Sequence, residues 1–312
     1  MDPDPRDARR EHRRAQTRRR RRVATAVVAL LALGAGFGLS RVVGGRSSGG
    51  SGAPGPTGAA TATAPATTTR AAPRPRAPGG LPSAAEQRAA VERLIALGLP
   101  IYRGGGRGDA VALTFDDGPG PYTPKAIDAL RANGARATFF LNAKELAPYG
   151  DHVASEKPVA AIGNHTWHHY DLATLGAARM RSEIVDSQRA IARAAGRPVT
   201  LMRPPYGSRS PAIDAEVRRS GELEILWSVD SRDSLGAGWE EILATCRSVK
   251  PGAIVLMHEN RGQTIKAVNR CLPALRKRGI RMVTVPELLA LDPPTLEQVR
   301  ADARNFAGVS TG

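Results

Sequence analysis

Ala110-Val111-Ala112-Leu113-Thr114-Phe115-Asp116-Asp117-Gly118-Pro119 is an apolar run that breaks abruptly into chemistry. Only Thr114 interrupts the apolar character of its first six residues. Neither face is left for water, as in a parallel strand buried on both sides. Two carboxylates and a Gly-Pro turn signal then end it. The same design returns four times. Val159–Gly163 leads into His165-Thr166-Trp167-His168-His169. Thr200–Arg203 leads into Pro204-Pro205-Tyr206-Gly207. Glu224–Val229 leads into Asp230-Ser231-Arg232-Asp233, and Ala253–Met257 leads into His258.

With Ala137–Leu141 and Arg281–Thr284 these make seven expected strands. Helical stretches fall around and between them at Ala84–Leu97, Pro124–Ala132, Gly176–Ala195, Pro211–Ser220, Glu240–Val249 and Ile265–Lys277. Pro124 and Pro211 suit a first helical turn. Alternation of this kind predicts a parallel α/β architecture, either an open sheet or a barrel. The polar clusters favour the barrel, because each lies at the C-terminal end of a strand, where barrel folds gather their catalytic residues.

Four of the six histidines fall in these clusters. His165 and His169 are spaced i, i+4, which on a helical turn brings both imidazoles to one side, able to share a metal. Asp117 is the expected third ligand, with His168 the other candidate. Two histidines, one carboxylate and an open position suit a catalytic divalent ion. Zinc is the expected ion, with Co2+ or another divalent ion open. Asp116 and Asp117 would point opposite ways on an extended strand. The turn forced by Gly118-Pro119 is expected to let one carboxylate bind metal while its neighbour faces the attacking water.

Five such clusters in this order, from Thr114 to His258, span 144 positions and resemble the polysaccharide deacetylase family, carbohydrate esterase family 4, also called the NodB homology domain. The resemblance covers roughly Gly108 to Ala290. It implies a distorted (β/α)7 barrel. It makes Asp117, His165 and His169 the ligands, choosing His169 over His168, and Asp116 the general base oriented by Arg203. The Tyr206 backbone N–H becomes an oxyanion donor. His258 becomes the acid that protonates the departing amine, with Asp233 as partner and Asp230 in reserve. The family usually carries an aromatic residue directly after that aspartate, where this chain has Ser234, so the acetyl pocket departs from the pattern; Trp227 and Leu256 are candidates to compensate. Glu156-Lys157-Pro158-Val159-Ala160-Ala161 also departs from the pattern.

The implied reaction is N-deacetylation of N-acetylglucosamine-type residues in an extracytoplasmic glycan, with peptidoglycan the expected polymer. An O-acetyl esterase of xylan type would use the same residues. A catalytically silent wall-binding module is the reading from another class.

The net charge of +16 invites a nucleic-acid reading, but its placement argues against one. Residues 1–22 hold ten arginines and a net +6, and the 18 residues from Val23 to Ser40 carry no charge. That length is about the minimum for crossing a bilayer, and flanking arginines stay cytoplasmic. The expected organisation is an Arg-rich cytoplasmic tail at 1–22, a transmembrane anchor or uncleaved signal at 23–40, and a Pro/Ala/Thr/Gly-rich linker at 41–83. The catalytic domain at 84–292, expected to be monomeric, and a C-terminal tail at 293–312 follow. The expected partners are a polysaccharide and, through the N-terminal helix, a membrane, with no nucleic acid. A secreted form released by signal cleavage is the alternative. Cys246 and Cys271 fall on expected helices flanking one strand, and an exported chain can join them.

Overall fold

The computed structural model describes residues 80–305. Eight strands form one parallel sheet: β1 Ala110–Gly118, β2 Ala137–Leu141, β3 Ala160–Asn164, β4 Leu201–Met202, β5 Leu223–Glu224, β6 Val229–Asp230, β7 Ile254–His258 and β8 Arg281–Val283. The pairing order is β5-β4-β3-β2-β1-β7-β6, and β8 joins the first residues of β1, ahead of β2 on that strand. Helices Thr123–Ala132, Ala177–Ala195, Pro211–Arg219, Trp239–Ser248 and Gly262–Lys277 occupy the connections between strands. Every β1 residue except Asp117 is buried, as its composition foretold.

Eight strands replace the seven expected. The stretch Glu224–Val229 is not one strand. Its start extends β5 beside β4, and its end enters β6 beside β7, at the opposite edge of the sheet. Between them the chain crosses the gap with single bonds to separate neighbours: Ile225 N–H donates to Met202 O, Leu226 N–H to Ile101 O and Ser228 N–H to Ile254 O. The sheet is thus a curled parallel half-barrel whose last gap is spanned without a continuous ladder. An apolar run cannot reveal this, because residues 225–228 must be apolar to cross the interior whether or not they pair.

Two large apolar layers hold the sheet, beside a smaller cluster that packs Met202 of β4 against Ile184 and Ile213 of the helices Ala177–Ala195 and Pro211–Arg219. One gathers Leu113, Phe115, Phe139 and Val255 with the helices Thr123–Ala132, Trp239–Ser248 and Gly262–Lys277. Phe115 and Phe139, at paired register positions, stack with centroids 5.0 Å apart. The other joins Ala112, Phe140 and Ile254 to the helices Ala84–Ile95 and Val285–Leu291. Ser83 caps the first of these with a reciprocal Glu86 bond, and Thr284 with Glu287 caps the second. The C-terminal helix Leu296–Asn305 buries Val299 in this layer and ties Asp302 to Arg103 at 2.8 and 2.9 Å. Cys246 and Cys271, on facing helices with Cα atoms 6.1 Å apart, form a disulfide.

Among the described residues no helix is long and apolar enough to cross a membrane. The expected tail 1–22 and span 23–40 lie outside the described residues, as does the linker as far as residue 79.

Candidate active site

The strand ends deliver the clusters in register. Asp116 of β1 pairs with His258 of β7, and Asn164 of β3 pairs with Met202 of β4, so His165 and Arg203 emerge side by side. The two adjacent aspartates converge by a different device from the expected turn. The β1–β2 register slips between Asp116 and Gly118, and Asp117, with φ 70°, is the extra residue of a bulge inside the strand. A left-handed residue turns its side chain out of strand alternation, so both carboxylates reach the same region.

The histidine pair also differs from expectation. Residues 165–169 form an irregular loop, not a helical turn, with Thr166 at φ 68° and His169 at φ 64°. Its backbone is pinned from three sides. Asn164 Oδ1 accepts Thr166 N–H, the Thr166 and Trp167 carbonyls accept from Ala143 and Lys144, and Trp167 N–H donates to Glu183 O. The loop nonetheless brings the His165 and His169 rings to a centroid distance of 4.9 Å.

Asp117 Oδ1 lies 3.2 Å from His169 Nε2 and 3.8 Å from His165 Nε2, and the ligand atoms of the three residues lie within 4.8 Å of one another. Tetrahedral zinc with ~2.1 Å arms needs donor separations near ~3.4 Å, so the spacing fits a divalent ion. The ring environments fit as well. His165 Nδ1 is 2.6 Å from Arg203 O, and a carbonyl only accepts, so Nδ1 carries the proton and Nε2 keeps its lone pair. Burial lowers both imidazoles to about 4, which keeps them in the neutral, ligating form. The Asp117 carboxyl lies below the usual range: burial opposes this, but attraction to His169, His258 and His165 in their protonated forms, with a hydrogen bond from Asn142, outweighs it. Asn142 and Asn260 each place an amide nitrogen 3.3 Å from an Asp117 oxygen. His168 faces elsewhere, its Nδ1 2.7 Å from Glu183 Oε1.

Asp116 Oδ2 sits 3.7 Å from His165 Nε2, beside the triad. Its Oδ1 accepts Arg203 Nη1 at 2.7 Å. Arg203 is wholly buried, not a surface partner. Nη1 also reaches Thr114 Oγ1 at 2.7 Å, while Nε and Nη2 donate to the Ile225 and Leu226 carbonyls, each at 3.1 Å. Its guanidinium lies 4.2 Å above the Phe140 ring and 5.6 Å from that of Trp227. The chain that crosses the sheet gap therefore holds Arg203 in place. Burial pushes the Asp116 carboxyl up, against the opposing charges of Arg203 and His258, giving a stronger base than a solvated aspartate.

His258 is paired with Asp233, as expected, and not with Asp230. Its Nδ1 is 2.7 Å from Asp233 Oδ1, and its backbone N–H donates to Oδ2 at 2.8 Å. Thr264 Oγ1 donates to the same oxygen at 2.5 Å. Asp230 accepts Arg232 N–H instead. Burial alone would lower the His258 pKa, but the Asp233 hydrogen bond and charge, aided by Asp117 and Asp116, raise it to about 9.

Tyr206 occupies left-handed backbone, φ 62°, in the turn Pro205–Gly207. Its ring meets His169 edge-on at 4.7 Å, and its hydroxyl lies 3.2 Å from His169 Nδ1. This side-chain contact was not anticipated, and neither were Asn142, Asn260 and Thr264. A lone amide or hydroxyl after a strand carries no spacing signal. Ser234 is exposed, and Trp227 packs toward Arg203 and Gly207.

A family model described as polysaccharide deacetylase matches residues 103–222. A peptidoglycan-N-acetylglucosamine deacetylase of Bacillus cereus is 37% identical over 190 residues, covering 57% of this chain and 87% of the relative. A chitooligosaccharide deacetylase of a Bradyrhizobium species is 32% identical over 204 residues, covering 57% and 90%. Among solved structures, a family 4 carbohydrate esterase from Streptomyces lividans in complex with acetate superimposes with a TM-score of 0.54 at 34% identity, covering 56% of this chain and 91% of the other.

Proposed function

The chain belongs to the polysaccharide deacetylase family and is a polysaccharide N-deacetylase, a hydrolase of acetamido carbon–nitrogen bonds, and from that premise we propose that it removes acetyl groups from N-acetylglucosamine residues of peptidoglycan outside the cytoplasmic membrane, with a divalent ion held by Asp117, His165 and His169. The observation that carries the reading is the pairing of Asp116 with His258 across β1–β7, beside the three ligand side chains. Bound there, zinc or a similar ion supplies Lewis acidity toward the acetyl carbonyl and the attacking water.

The chain's own groups supply the rest. Asp116, fixed by Arg203, takes the proton of the attacking water. The Tyr206 backbone N–H donates to the developing oxyanion, a contact typically worth ~10²–10³ in rate. His258, its Nδ1 held by Asp233, delivers a proton from the other ring nitrogen to the departing amine. Acetate and a free amino sugar leave.

Location supports the choice of polymer. The arginine-rich residues 1–22 and the uncharged run 23–40 fit an anchor with the N-terminus inside, and the Pro/Ala/Thr/Gly-rich stretch 41–83 fits a tether reaching the wall. The relatives' names span peptidoglycan and chitooligosaccharide substrates.

The test is acetate release by the full chain from peptidoglycan, chitin oligomers and acetylxylan, after chelation and again with added zinc. Zinc-restored release, strongest on peptidoglycan and reduced ~10²–10⁴-fold by Asp116→Asn, is the expected result. Release from acetylxylan alone would replace the amidase reading with an O-acetyl esterase. No release from any polymer, with metal bound, would point to a silent binding module.

A further inference from the structure

Glu259 follows the acid His258 directly, is fully buried, and has no part in the acid–base pair. Its side chain runs beneath the β1 bulge. Oε2 accepts the Thr123 hydroxyl, and Thr123 Oγ1 accepts Gly120 N–H at 2.8 Å. The Glu259 backbone N–H donates to Asp116 O at 3.2 Å. Oε1 has no hydrogen-bond partner among the described residues and lies directly against Gly118, where a Cβ would overlap it. Gly118 is not in left-handed backbone, so space and not conformation demands glycine there. The next residue, Asn260, places its amide 3.3 Å from Asp117 Oδ2. The segment after β7 thus grips the Asp116–Gly120 stretch from below and from the side.

We infer that Glu259 is a positioning residue for the ligand Asp117: its side chain fills the space under Gly118 and sets the bulge that turns Asp117 toward His165 and His169. The inference rests on the metal-site reading above. It assigns Gly118 and Glu259 to one another as a pair matched in size, with Thr123 as the strut to the following turn.

The experiment titrates the chelator-stripped full chain with cobalt(II), following its visible absorption against a competing chelator. Asp117→Ala is the control for the site, and loss of cobalt binding is expected. Glu259→Ala should weaken cobalt affinity by roughly tenfold or more, the range seen when groups supporting a ligand are removed. Glu259→Gln keeps the volume and an acceptor for Thr123, and should stay within about threefold of the parent on the same scale. Gly118→Ala alone should weaken binding. Added to Glu259→Ala, it should cost nothing further, because the new methyl enters the vacated space, a strongly non-additive cycle. Should Glu259→Ala yield no folded protein, Thr123→Val, which removes the strut's hydroxyl, carries the same expectation of weakened affinity. Unchanged affinity in Glu259→Ala, or additive losses in the pair, with Asp117→Ala silent, would overturn the positioning role alone. Cobalt binding that survives Asp117→Ala would overturn the metal-site reading and the inference with it.

Discussion

Asp116 and His258 occupy paired register positions, and each is held in its working range by a different neighbour. Burial raises the Asp116 carboxyl while Arg203 restrains the rise. Burial pulls His258 down while Asp233 lifts it to about 9. As a general acid His258 must be protonated before turnover, so its pKa sets the pH above which activity falls. Replacing Asp233 by Asn removes the charge that lifts it, and the imidazolium then loses its proton at lower pH. Asp233→Asn should therefore move the basic limb of the kcat profile toward acid by a unit or more, and lower kcat by about 10²-fold or more. The profile with saturating metal checks this, because a merely structural loss would lower the whole curve without moving its limb. Residues of the site were legible at this scale where the side chain is chemically distinctive. Asp116, Arg203 and His258 announce themselves after apolar runs, whereas Thr264 and Asn142 do not.

Among the elements, the strands that deliver the site were readable because they are buried on both faces and therefore nearly continuous in apolar character. The six expected helices were readable from Pro124 and Pro211 and from their spacing, to within a few residues, whereas Val285–Leu291 and the short His152–Glu156 were not expected. What escaped was pairing. The bulge at Asp117, the left-handed residues Thr166 and His169, and the split of Glu224–Val229 are backbone choices imposed by neighbours distant in sequence. A residue of unfavourable left-handed conformation gives no local sign of it when tertiary bonds hold it there. The disulfide is an element-scale feature of another kind. Cys246 and Cys271 tie the helices Trp239–Ser248 and Gly262–Lys277, with 25 residues of sequence separation, and that span contains β7 and His258. Closing such a loop restricts the unfolded chain by about 3 kcal/mol. Cys246→Ser with Cys271→Ser should lower Tm by roughly 6–12 °C. It should leave kcat at 25 °C within about twofold, since neither sulfur approaches the site, an expectation set by the small effect of changes outside the reacting groups. Calorimetry alongside acetate release separates the two effects, and a large loss of kcat at full folding would show that the bridge positions His258.

For the molecule as a whole, buried titrating groups both within and beyond the site decide how stability responds to pH. Glu156, Glu222 and Glu224 are buried, and burial raises each carboxyl to about 8, against partial compensation from Arg197, from Ser220 with Asn164, and from Arg209 respectively. Asp214 pushes Glu224 further up. The folded state then holds protons that the unfolded chain has already released above its ordinary glutamate range, so stability falls as pH rises toward 8. His258, raised to about 9, adds to the same fall above its ordinary 6.5. His165 and His169, lowered to about 4, act in reverse: the unfolded chain binds their protons below 6.5, so stability rises with pH from about 4 to 6.5. The two trends oppose each other below 6.5 and only the decline remains above it. Three carboxyls drive the decline and only two imidazoles oppose it, so the decline already prevails between about pH 5 and 6.5, and metal-free protein should be most stable at about pH 5 and lose stability steadily toward pH 9. Glu222→Gln tests this at one group. The amide keeps an acceptor for Asn164 Nδ2, which now donates to the carboxylate at 3.1 Å, and Ser220 Oγ, 2.8 Å from the other oxygen, can turn to accept. Nothing remains to ionise, so the variant should match the parent at pH 5 and exceed its Tm by about 5 °C or more at pH 9. Thermal melts of chelated protein at the two pH values decide it. An equal shift at both would mean that packing, and not the buried charge, sets the difference.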